Sequence, residues 1–458
     1  MAEEKDLSAE ELIARTEIPG KKAPLWHAFY RGKVEMALKC PVKSFDDFGI
    51  WYSPGVAAPC REIHSDPEKV FQYTNKSNSI AIVSDGSRVL GLGNIGPQAA
   101  LPVMEGKALL FKYLGGVGAF PIVLDTQDPD EIIQAVKWIA PGFGGINLED
   151  ISSPKCFYIL DHLRQDLGIP IWHDDQQGTA AITLAGVING LKLVGKDMKK
   201  VTYCVIGSGA ANIAFVRVLV HAGVSAGNVI LIDSRGILHP GREDLEREKE
   251  TNPHKWEYAQ TTNAERREGD MATGIEGTDV LIAASRPGPD TIKKEWLRTM
   301  NKNAIAFLMA NPVPEIWPWK AKEAGVRVVG TGRSDFPNQV NNSIGFPGIF
   351  RGTLDVQAAT ITDEMAIAAA YSIAKTAEGK GLHEEYIVPT MMETDVFINE
   401  AVAVGLEAVR QGIARRRLSE DELRREAETT IRHAQEETAI LMRAGHILPP
   451  PEVKIDEE

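Results

Sequence analysis

Short apolar runs alternate along the chain with stretches in which apolar residues recur every three or four positions. Runs rich in Val, Ile, Leu and Ala predict buried strands, because strands buried on both faces lack polar alternation. The periodic stretches between them predict helices. This order predicts an α/β fold. The predicted strands are residues 79–84, 119–124, 169–172, 201–207, 228–233, 279–283, 304–308 and 326–330.

Helices are predicted in most of the intervening stretches. They cover about residues 99–114, 130–139, 182–194, 211–222, 362–378, 395–409 and 419–444. Residues 1–48 predict helices and connectors with breaks at Pro24 and Pro41. The last helix begins with a Ser-x-x-Glu capping box and has a weak apolar stripe, so we expect it to serve packing or dimerisation. The charged composition of the segment 239–270 indicates a surface excursion, a connection that leaves the sheet and runs over the surface between two strands.

Composition and charge argue against several classes of partner. The chain has 458 residues, enough for roughly two to three domains. The net charge of −13 argues against nucleic acid or an anionic membrane as partner. No uncharged apolar run reaches the ~18–20 residues of a membrane span, and the acidic start indicates no secretory signal. Without a CxxC pair among the cysteines, no disulfide framework is indicated, and the cytoplasm is the expected compartment.

Two pairs of adjacent carboxylates, Glu149-Asp150 and Asp174-Asp175, lie beside apolar runs. Adjacent carboxylates repel one another, and a cation between the two pairs would compensate that repulsion. An all-oxygen site suits Mg²⁺ or Mn²⁺ better than Zn²⁺. Two solvated acidic loops are the alternative interpretation of the same spacing.

Two further side chains are candidates for proton transfer. Lys107 lies within an apolar stripe of its predicted helix, where desolvation would lower the lysine pKa and make a usable base. The alternative is a lysine at the edge of the stripe whose ammonium reaches water. Tyr52 precedes a Ser-Pro-Gly turn that would fix its position, although a tyrosine before a turn is usually a packing residue.

Residues 201–233 show the order strand, glycine turn, helix, strand and acid that is typical of dinucleotide-binding folds. The turn, at the helix start where a pyrophosphate binds, consists of Gly207, Ser208, Gly209, Ala210 and Ala211. Asp233 would bind the ribose hydroxyls and favours NAD, because it repels a 2′-phosphate. Arg235 and Arg242 follow closely and could accept that phosphate, so use of NADP stays open.

Asn-rich loops follow two of the later strands. Asn311 follows the strand at 304–308, and Asn341 and Asn342 follow the strand at 326–330. Ligands of open α/β sheets bind at the carboxyl ends of strands. These loops are therefore binding candidates, although Asn beside Pro is otherwise a turn residue.

Over roughly residues 25–375, a series of motifs resembles the compact bacterial and archaeal malic enzymes in content and order. The motifs are YSPGVAAPC, SDGSRVLGLGNIGP, MEGKALLFK, GGINLEDI, IWHDDQQGTA, the glycine turn, ANPVPE and GRSDFPNQVNNSIGFPGIFRG. The resemblance implies an N-terminal α/β substrate domain at residues 1–178 and a Rossmann-like doubly wound NAD(P) domain at 179–385. It also implies a helical extension at 386–458 and a homodimer or higher homo-oligomer.

The implied reaction is the oxidative decarboxylation of (S)-malate to pyruvate and CO₂ with NAD or NADP, NAD being favoured. It would need Mg²⁺ or Mn²⁺, and oxaloacetate decarboxylation is an expected further activity. By matched motif, the metal ligands would be Glu149, Asp150 and Asp175. Lys107 would be the general base with Asp174 as its charge partner, and Tyr52 the general acid. Contacts to malate or nicotinamide would come from Arg88, Asn311, Asn341 and Asn342, and pyrophosphate contacts from Ser208 to Ala211.

Two positions depart from the family pattern. Gln177 stands where members mostly have His, and Asn212 stands where a small residue is usual; neither is a proposed ligand or base. Two other functions remain as alternatives. A malolactic-type enzyme would keep NAD bound and release lactate. A catalytically silent NAD-binding sensor would have no reason to retain Tyr52, Lys107 and three carboxylates together.

Overall fold

The structure is a computed structural model that describes residues 9–453, with side chains from residue 17 onward. The first eight residues, on which the expected absence of a secretory signal largely rests, lie outside that range. Among the described residues, no helix combines the length and the apolar character needed to cross a bilayer.

A four-stranded parallel sheet in the order β2-β1-β3-β4 forms the centre of the N-terminal part. Its strands are β1 (Ser79–Ser84), β2 (Gly118–Val123), β3 (Gly145–Leu148) and β4 (Ile171–His173). The accompanying helices are α1 (Ala9–Tyr30), α2 (Phe45–Trp51), α3 (Ala57–Ser65), α4 (Val70–Tyr73), α5 (Pro97–Gly115), α6 (Pro129–Ile139) and α7 (Lys155–Asp166). Because β1 pairs with both β2 and β3, the strand order reverses there and opens a crevice at the carboxyl ends of β1 and β3.

A second sheet, in the order β10-β9-β8-β5-β6-β7, forms the centre of the following part. Its strands are β5 (Tyr203–Ile206), β6 (Val229–Asp233), β7 (Gly236–Ile237), β8 (Val280–Ala283), β9 (Ile305–Leu308) and β10 (Val328–Thr331). Its helices are α8 (Thr179–Val194), α9 (Ala210–His221), α10 (Glu243–Arg247), α11 (Pro253–Thr261), α12 (Met271–Ile275), α13 (Lys294–Leu297) and α14 (Pro318–Glu323). All pairings are parallel except that of the edge strand β7. The order reverses between β5 and β8, and a second crevice opens there.

Four C-terminal helices join the two parts. They are α15 (Phe346–Asp355), α16 (Asp363–Glu378), α17 (Thr394–Arg410) and α18 (Glu420–Arg443). Helix α16 packs on α8, α17 packs on α15 and α16, and α18 packs on α5 and α17. The stripe of α18 that the sequence shows as weakly apolar is buried at Leu423, Ala427, Ile431 and Ala434. The last helix therefore supports α5, which contains Lys107.

The predicted α/β, doubly wound class is confirmed, but several local predictions were wrong or incomplete. Helix α1 continues through Pro24 instead of breaking there. A proline clashes with the carbonyl four residues earlier, and that residue is Gly20, whose backbone can adjust. The segment 239–270 is more than a surface excursion, because it contains α10 and α11, and it buries Leu245 and Ala259.

Three elements were not predicted from the sequence, and two of them, β3 and α15, lack a clear signal. Strand β3 is short and has a glycine and an asparagine among its residues. Helix α15 has two glycines and a proline, which disfavour helix in isolation, yet the whole helix is buried. Tertiary packing therefore decides β3 and α15 more than local propensity does. Helix α7 was overlooked although its buried residues, Cys156, Ile159 and Leu163 among them, recur at helical spacing.

Candidate active site

The carboxyl ends of both sheets border one cleft with a volume of about 550 Å³. One wall comes from the N-terminal sheet and the helix α5, and includes Arg88, Lys107, Glu149, Asp150 and Asp175. The opposite wall comes from the second sheet and includes Gly209, Ala210, Ala211, Ser285, Asn311, Asn341 and Asn342. Most of the residues that the sequence singled out therefore face a common space.

Three carboxylates converge on one wall of this cleft. Glu149 and Asp150 follow β3, and Asp175 follows β4, the neighbouring strand. One oxygen from each carboxylate lies within 4.8 Å of the other two. The Asp150 amide donates a hydrogen bond to Asp175 Oδ2 at 2.8 Å, which fixes the two acidic segments together. Asp150 itself has φ 53°, a left-handed conformation that costs energy for a residue other than glycine.

The electrostatics of this cluster fit a divalent cation. Burial, with a contribution from the charge of Asp175, raises the pKa of Asp150 to about 8. Burial also raises the pKa of Glu149 well above its ordinary value. Asp150 Oδ2 is buried and has no hydrogen-bond partner among the described residues. Clustered acidic oxygens of this kind are the ligands that Mg²⁺ and Mn²⁺ prefer.

Lys107 lies beside the cluster and is almost completely buried. Its Nζ is 2.6 Å from Asp174 Oδ2 and 2.9 Å from Glu149 Oε1, and it lies 4.2 Å from the centroid of the Phe346 ring. Burial alone would lower the pKa of Lys107, but the charges of Asp174 and Glu149 outweigh burial and leave that pKa raised. The expectation of a lowered lysine pKa is therefore wrong for this arrangement. So is the alternative of a lysine whose ammonium reaches bulk water.

Asp174 is positioned by a single π-helical turn, Asp174–Gly178, that follows β4 directly. Trp172 Nε1 donates a hydrogen bond to Asp174 Oδ1 at 2.9 Å. A Cβ on Gly178 would lie 1.9 Å from Asp174 Oδ1, so only glycine fits there. The absence of a side chain at Gly178 therefore makes room for the Asp174 carboxylate.

The glycine turn after β5 has the expected relation to α9. Gly207 has φ 102°, and a Cβ there would lie 2.4 Å from the carbonyl oxygen of Ala284. Gly209, directly before α9, has open space beside it. Asn212, which replaces the usual small residue, donates from its amide to the carbonyl oxygens of Ile206 and Gly207 at 2.8 and 2.9 Å. Asn212, although it departs from the family pattern, therefore stabilises the glycine turn.

Asp233 at the end of β6 is surrounded by cations. Arg242 donates to both of its carboxylate oxygens at 2.8 and 3.0 Å, and Lys255 Nζ lies 2.6 Å from Oδ2. Burial would raise the pKa of Asp233, but the hydrogen bonds from Arg242 and Lys255 prevail and lower it. Asp233 is therefore ionised, and its charge is compensated by two neighbours.

The candidate substrate residues lie at the edges of the cleft. Arg88 is exposed at the rim, and its amide donates to the Asp150 carbonyl at 3.0 Å. Asn341 is fixed on both sides, because it donates to the Gly332 carbonyl and accepts from the Ser343 amide, each at 3.0 Å. Together with Asn311, it borders the space between the two walls.

Of the three predicted catalytic residues, Lys107 lines the cleft and Asp174 lies behind it as the partner of Lys107, whereas Tyr52 lies away from both. Its side chain is 75% exposed, and it is not among the residues that line the cleft. It follows the short helix α2, on a surface where several large apolar side chains are also exposed.

Two residues of the site were missed in the sequence. Lys255 lies on α11, inside the segment that predicted a surface excursion, and no local pattern connects it with Asp233. Glu315 is completely buried behind the cleft. It belongs to the quoted ANPVPE motif, and an acid in an otherwise apolar loop was the available signal.

A glycine turn opening onto a cleft shared with clustered carboxylates and a buried lysine defines a dinucleotide-binding α/β enzyme. The comparisons with known proteins define the family. Residues 31–164 match the family model described as malic enzyme, N-terminal domain. Residues 176–319 and 325–409 match the model described as malic enzyme, NAD binding domain. The chain belongs to the malic enzyme family.

Known proteins of this family are similar to the chain over most of its length. The bifunctional malic/malolactic enzyme of Bacillus subtilis is 48% identical over 389 residues, which cover 85% of this chain and 93% of that protein. The NAD-dependent malic enzyme of Geobacillus stearothermophilus is 50% identical over 385 residues, which cover 84% and 78%. The crystal structure of the Entamoeba histolytica malic enzyme superposes with a TM-score of 0.95 at 44% identity and covers 98% of this chain and 93% of that one.

Proposed function

We propose that the chain oxidatively decarboxylates (S)-malate to pyruvate and CO₂ with NAD(P)⁺ in a reaction that depends on Mg²⁺ or Mn²⁺. Decarboxylation of added oxaloacetate is a further proposed activity. The observation that supports this most is the convergence of Glu149, Asp150 and Asp175 beside Lys107, opposite the glycine turn.

Glu149, Asp150 and Asp175 are the proposed metal ligands. When bound, the cation compensates the carboxylate charge around Lys107 and acts as a Lewis acid on the C2 oxygen of malate. Asn147 Nδ2 donates to Glu149 Oε2 at 2.9 Å and orients that carboxylate. The backbone bond between Asp150 and Asp175 orients the other two.

Lys107 is the proposed general base that takes the proton of the C2 hydroxyl. Asp174 fixes its Nζ from one side, and the Phe346 ring covers it from another. NAD(P)⁺, which Gly209, Ala210 and Ala211 would help to hold, would supply the acceptor for the hydride of C2. Loss of CO₂ from the resulting oxaloacetate leaves an enolate, and Tyr52 is the proposed acid that protonates its C3.

Tyr52 can serve this role if a second copy of the chain brings it to the cleft. Exposed apolar residues flank it in the sequence and form what we call the N-terminal apolar surface. These residues are Val34, Met36, Leu38, Val42, Phe45, Phe48, Ile50, Trp51 and Val56. Exposed apolar patches of this kind mark interaction sites. We propose a homodimer in which this surface covers the partner and each cleft receives Tyr52 from the other copy.

NAD is the favoured cofactor, with NADP as a second substrate. Asp233 stands where the adenosine ribose is expected and its negative charge opposes a 2′-phosphate. Arg242 and Lys255 compensate that charge, which supports tolerance of NADP. The relative from Geobacillus is an NAD-dependent malic enzyme, in line with the preference for NAD.

The test is the appearance of reduced-nicotinamide absorbance when purified protein receives malate, Mn²⁺ and either NAD⁺ or NADP⁺, together with an assay for pyruvate. Reduced cofactor and pyruvate in equal amounts support the proposal. Absence of both with either cofactor contradicts it.

A malolactic activity is the second candidate, because the relative from Bacillus is a bifunctional malic/malolactic enzyme. It would convert malate to lactate without net reduction of the cofactor. Lactate formed in the same assay without accumulating NADH distinguishes it from the malic reaction. A silent sensor would form neither product.

A further inference from the structure

Glu315 is completely buried behind the cofactor wall of the cleft. Its Oε1 accepts hydrogen bonds from the amide and the hydroxyl of Ser285 at 2.8 and 3.1 Å. Its Oε2 accepts one from the amide of Ala310 at 3.1 Å. One side chain therefore joins two loops, of which one follows β8 and the other follows β9.

Both of these loops line the cleft. The loop after β8 lies against the glycine turn, because the Ala284 carbonyl occupies the place where a Cβ on Gly207 would stand. The loop after β9 continues into Asn311, whose carbonyl oxygen would lie 2.4 Å from a Cβ on Gly91 in the opposite wall. A shift of either loop would therefore change the width of the cofactor site.

Only a carboxylate can make this connection fully. Its two oxygens both accept, whereas a glutamine would direct an NH₂ group at one of the two backbone amides. Burial raises the pKa of Glu315 to about 7, so the fold keeps an acid where its ionised form is costly. A buried acid whose hydrogen bonds all go to cofactor loops indicates a role beyond ordinary packing.

We propose that Glu315 is a positioning residue for the nicotinamide cofactor: it fixes the loops at Ser285 and Ala310 so that the cleft between the glycine turn and Asn311 has the width that the dinucleotide needs. The inference rests on the proposed NAD(P)-dependent function. Glu315 touches neither cofactor nor substrate in this role and acts through the two loops.

The test compares Glu315→Gln with wild type by NADH fluorescence titration and steady-state kinetics. Because hydrogen bonds to a buried charged group are lost, the Kd for NADH and the KM for NAD⁺ should rise about 10-fold or more. Binding of Mn²⁺ to the carboxylate cluster on the other wall should stay unchanged. Hydrogen exchange should become faster at the amides of Ser285 and Ala310.

Asn189→Ala is the matched control. Asn189 is buried and donates to the carbonyls of Ala374 and Ile387 at 2.8 Å, and none of these three residues lines the cleft. It should lower the thermal midpoint without changing the Kd for NADH. If Glu315→Gln does not fold, Glu315→Asp, which is too short to reach both loops, takes its place.

The outcomes separate the two proposals. If wild type binds neither NADH nor NADPH, the proposed function fails and the inference with it. If wild type binds and the Glu315 variant binds equally well with unchanged exchange, only the inference is overturned. The inference is also overturned if Asn189→Ala weakens NADH binding as much as the Glu315 variant does, because the effect would then reflect general destabilisation.

Discussion

Lys107 Nζ and Asp174 Oδ2 form an ion pair at 2.6 Å, and the two side chains are only 7% and 0% exposed. The pair joins helix α5 to the π-helical turn after β4, two segments that are 67 residues apart in the chain. Because water is largely excluded, the interaction between the charges is stronger than at a surface. The proposed base is thus held in one place next to the proposed metal ligands.

Lys107→Ala should abolish most malate oxidation. General acid–base catalysis contributes about 10²–10⁴-fold, so kcat should fall by that range while cofactor binding persists. Reduced-nicotinamide absorbance gives the rate, and NADH fluorescence gives the binding. Lys112→Ala is the control, since Lys112 lies on the same helix but pairs with Glu437 at the surface. Near-normal turnover of the Lys107 variant would rule out the base assignment.

Asp150→Asn should separate metal binding from folding. Without a divalent cation the variant should be at least as stable as wild type, because Asn replaces an acid whose ionised form burial disfavours and whose pKa it raises to about 8. Millimolar Mn²⁺ should raise the thermal midpoint of wild type, since a ligand at a hundred times its Kd stabilises by about 2.7 kcal/mol. Mn²⁺ should raise the thermal midpoint of the Asp150 variant much less. The control Asp166→Asn, at the surface, should show the same rise as wild type. Equal shifts in all three proteins would argue against the ligand set.

The carboxylate cluster illustrates what the sequence can and cannot predict. Glu149-Asp150 and Asp174-Asp175 each follow an apolar run, and the carboxyl ends of neighbouring parallel strands meet at one edge of a sheet. Because β3 itself has no clear strand signal, a place at this edge could be expected for Asp174-Asp175 alone, and the convergence of the two pairs remained a hypothesis that rested on charge compensation by a cation. The direction of the pKa shift of Lys107 could not, because it depends on carboxylates that only the fold brings to it.

The same limit applies to the residues that were missed. Lys255 on α11 pairs with Asp233 at the end of β6, and neither segment contains a signal for the other. For Tyr52 the situation is reversed: its sequence motif matches the family, but the fold of a single chain leaves the residue exposed and away from the cleft. A sequence motif identifies a residue and not the subunit in which it acts.

Lys255→Ala should sharpen the preference for NAD. Removing one of the two cations beside Asp233 leaves more uncompensated negative charge where a 2′-phosphate would lie. The ratio of kcat/KM for NAD⁺ to that for NADP⁺ should rise by about 10-fold, the effect of roughly 1.4 kcal/mol. Lys322→Ala, which removes a surface ion pair with Glu385, should leave the ratio unchanged. A ratio that stays constant or falls in the Lys255 variant would contradict this account of Asp233.

Tyr52→Phe and Lys107→Ala should complement one another in a mixed dimer. Each homodimer is expected to be nearly inactive. If Tyr52 enters the cleft of the other copy, a heterodimer contains one doubly altered site and one intact site, so about half of wild-type activity should return in a symmetric dimer. Differently tagged chains, co-expressed and purified through both tags, provide the sample. Failure to regain activity in a stable heterodimer would mean that both residues act within one chain or that Tyr52 is not the acid.

Glu400 on α17 should limit stability at neutral and alkaline pH. It is completely buried, and neither carboxyl oxygen has a hydrogen-bond partner among the described residues. A Cβ on Gly348 would lie 2.2 Å from its Oε2, so α15 packs directly on the acid. Burial, with a contribution from the charge of Asp174, raises the pKa of Glu400 well above its ordinary value.

The sign of the effect follows from that shift. Above the ordinary pKa the unfolded chain releases the proton while the folded chain keeps it, so stability falls as pH rises towards the folded pKa. Glu400→Gln removes the ionisable group at nearly constant shape. It should raise the free energy of unfolding by about 1–3 kcal/mol at neutral pH, with a difference that shrinks towards pH 4.

Thermal midpoints measured at acidic, neutral and alkaline pH provide the check. Glu407→Gln on the same helix is the control, and its effect on stability should have the opposite sign. A hydrogen bond from Arg410 lowers the pKa of Glu407, so its ionised form stabilises the fold. That variant should be slightly less stable than wild type above the ordinary pKa of a glutamate, and the loss should vanish in acid. A Glu400 variant that is less stable than wild type at neutral pH would mean that the ionised carboxylate has a stabilising partner in the folded protein.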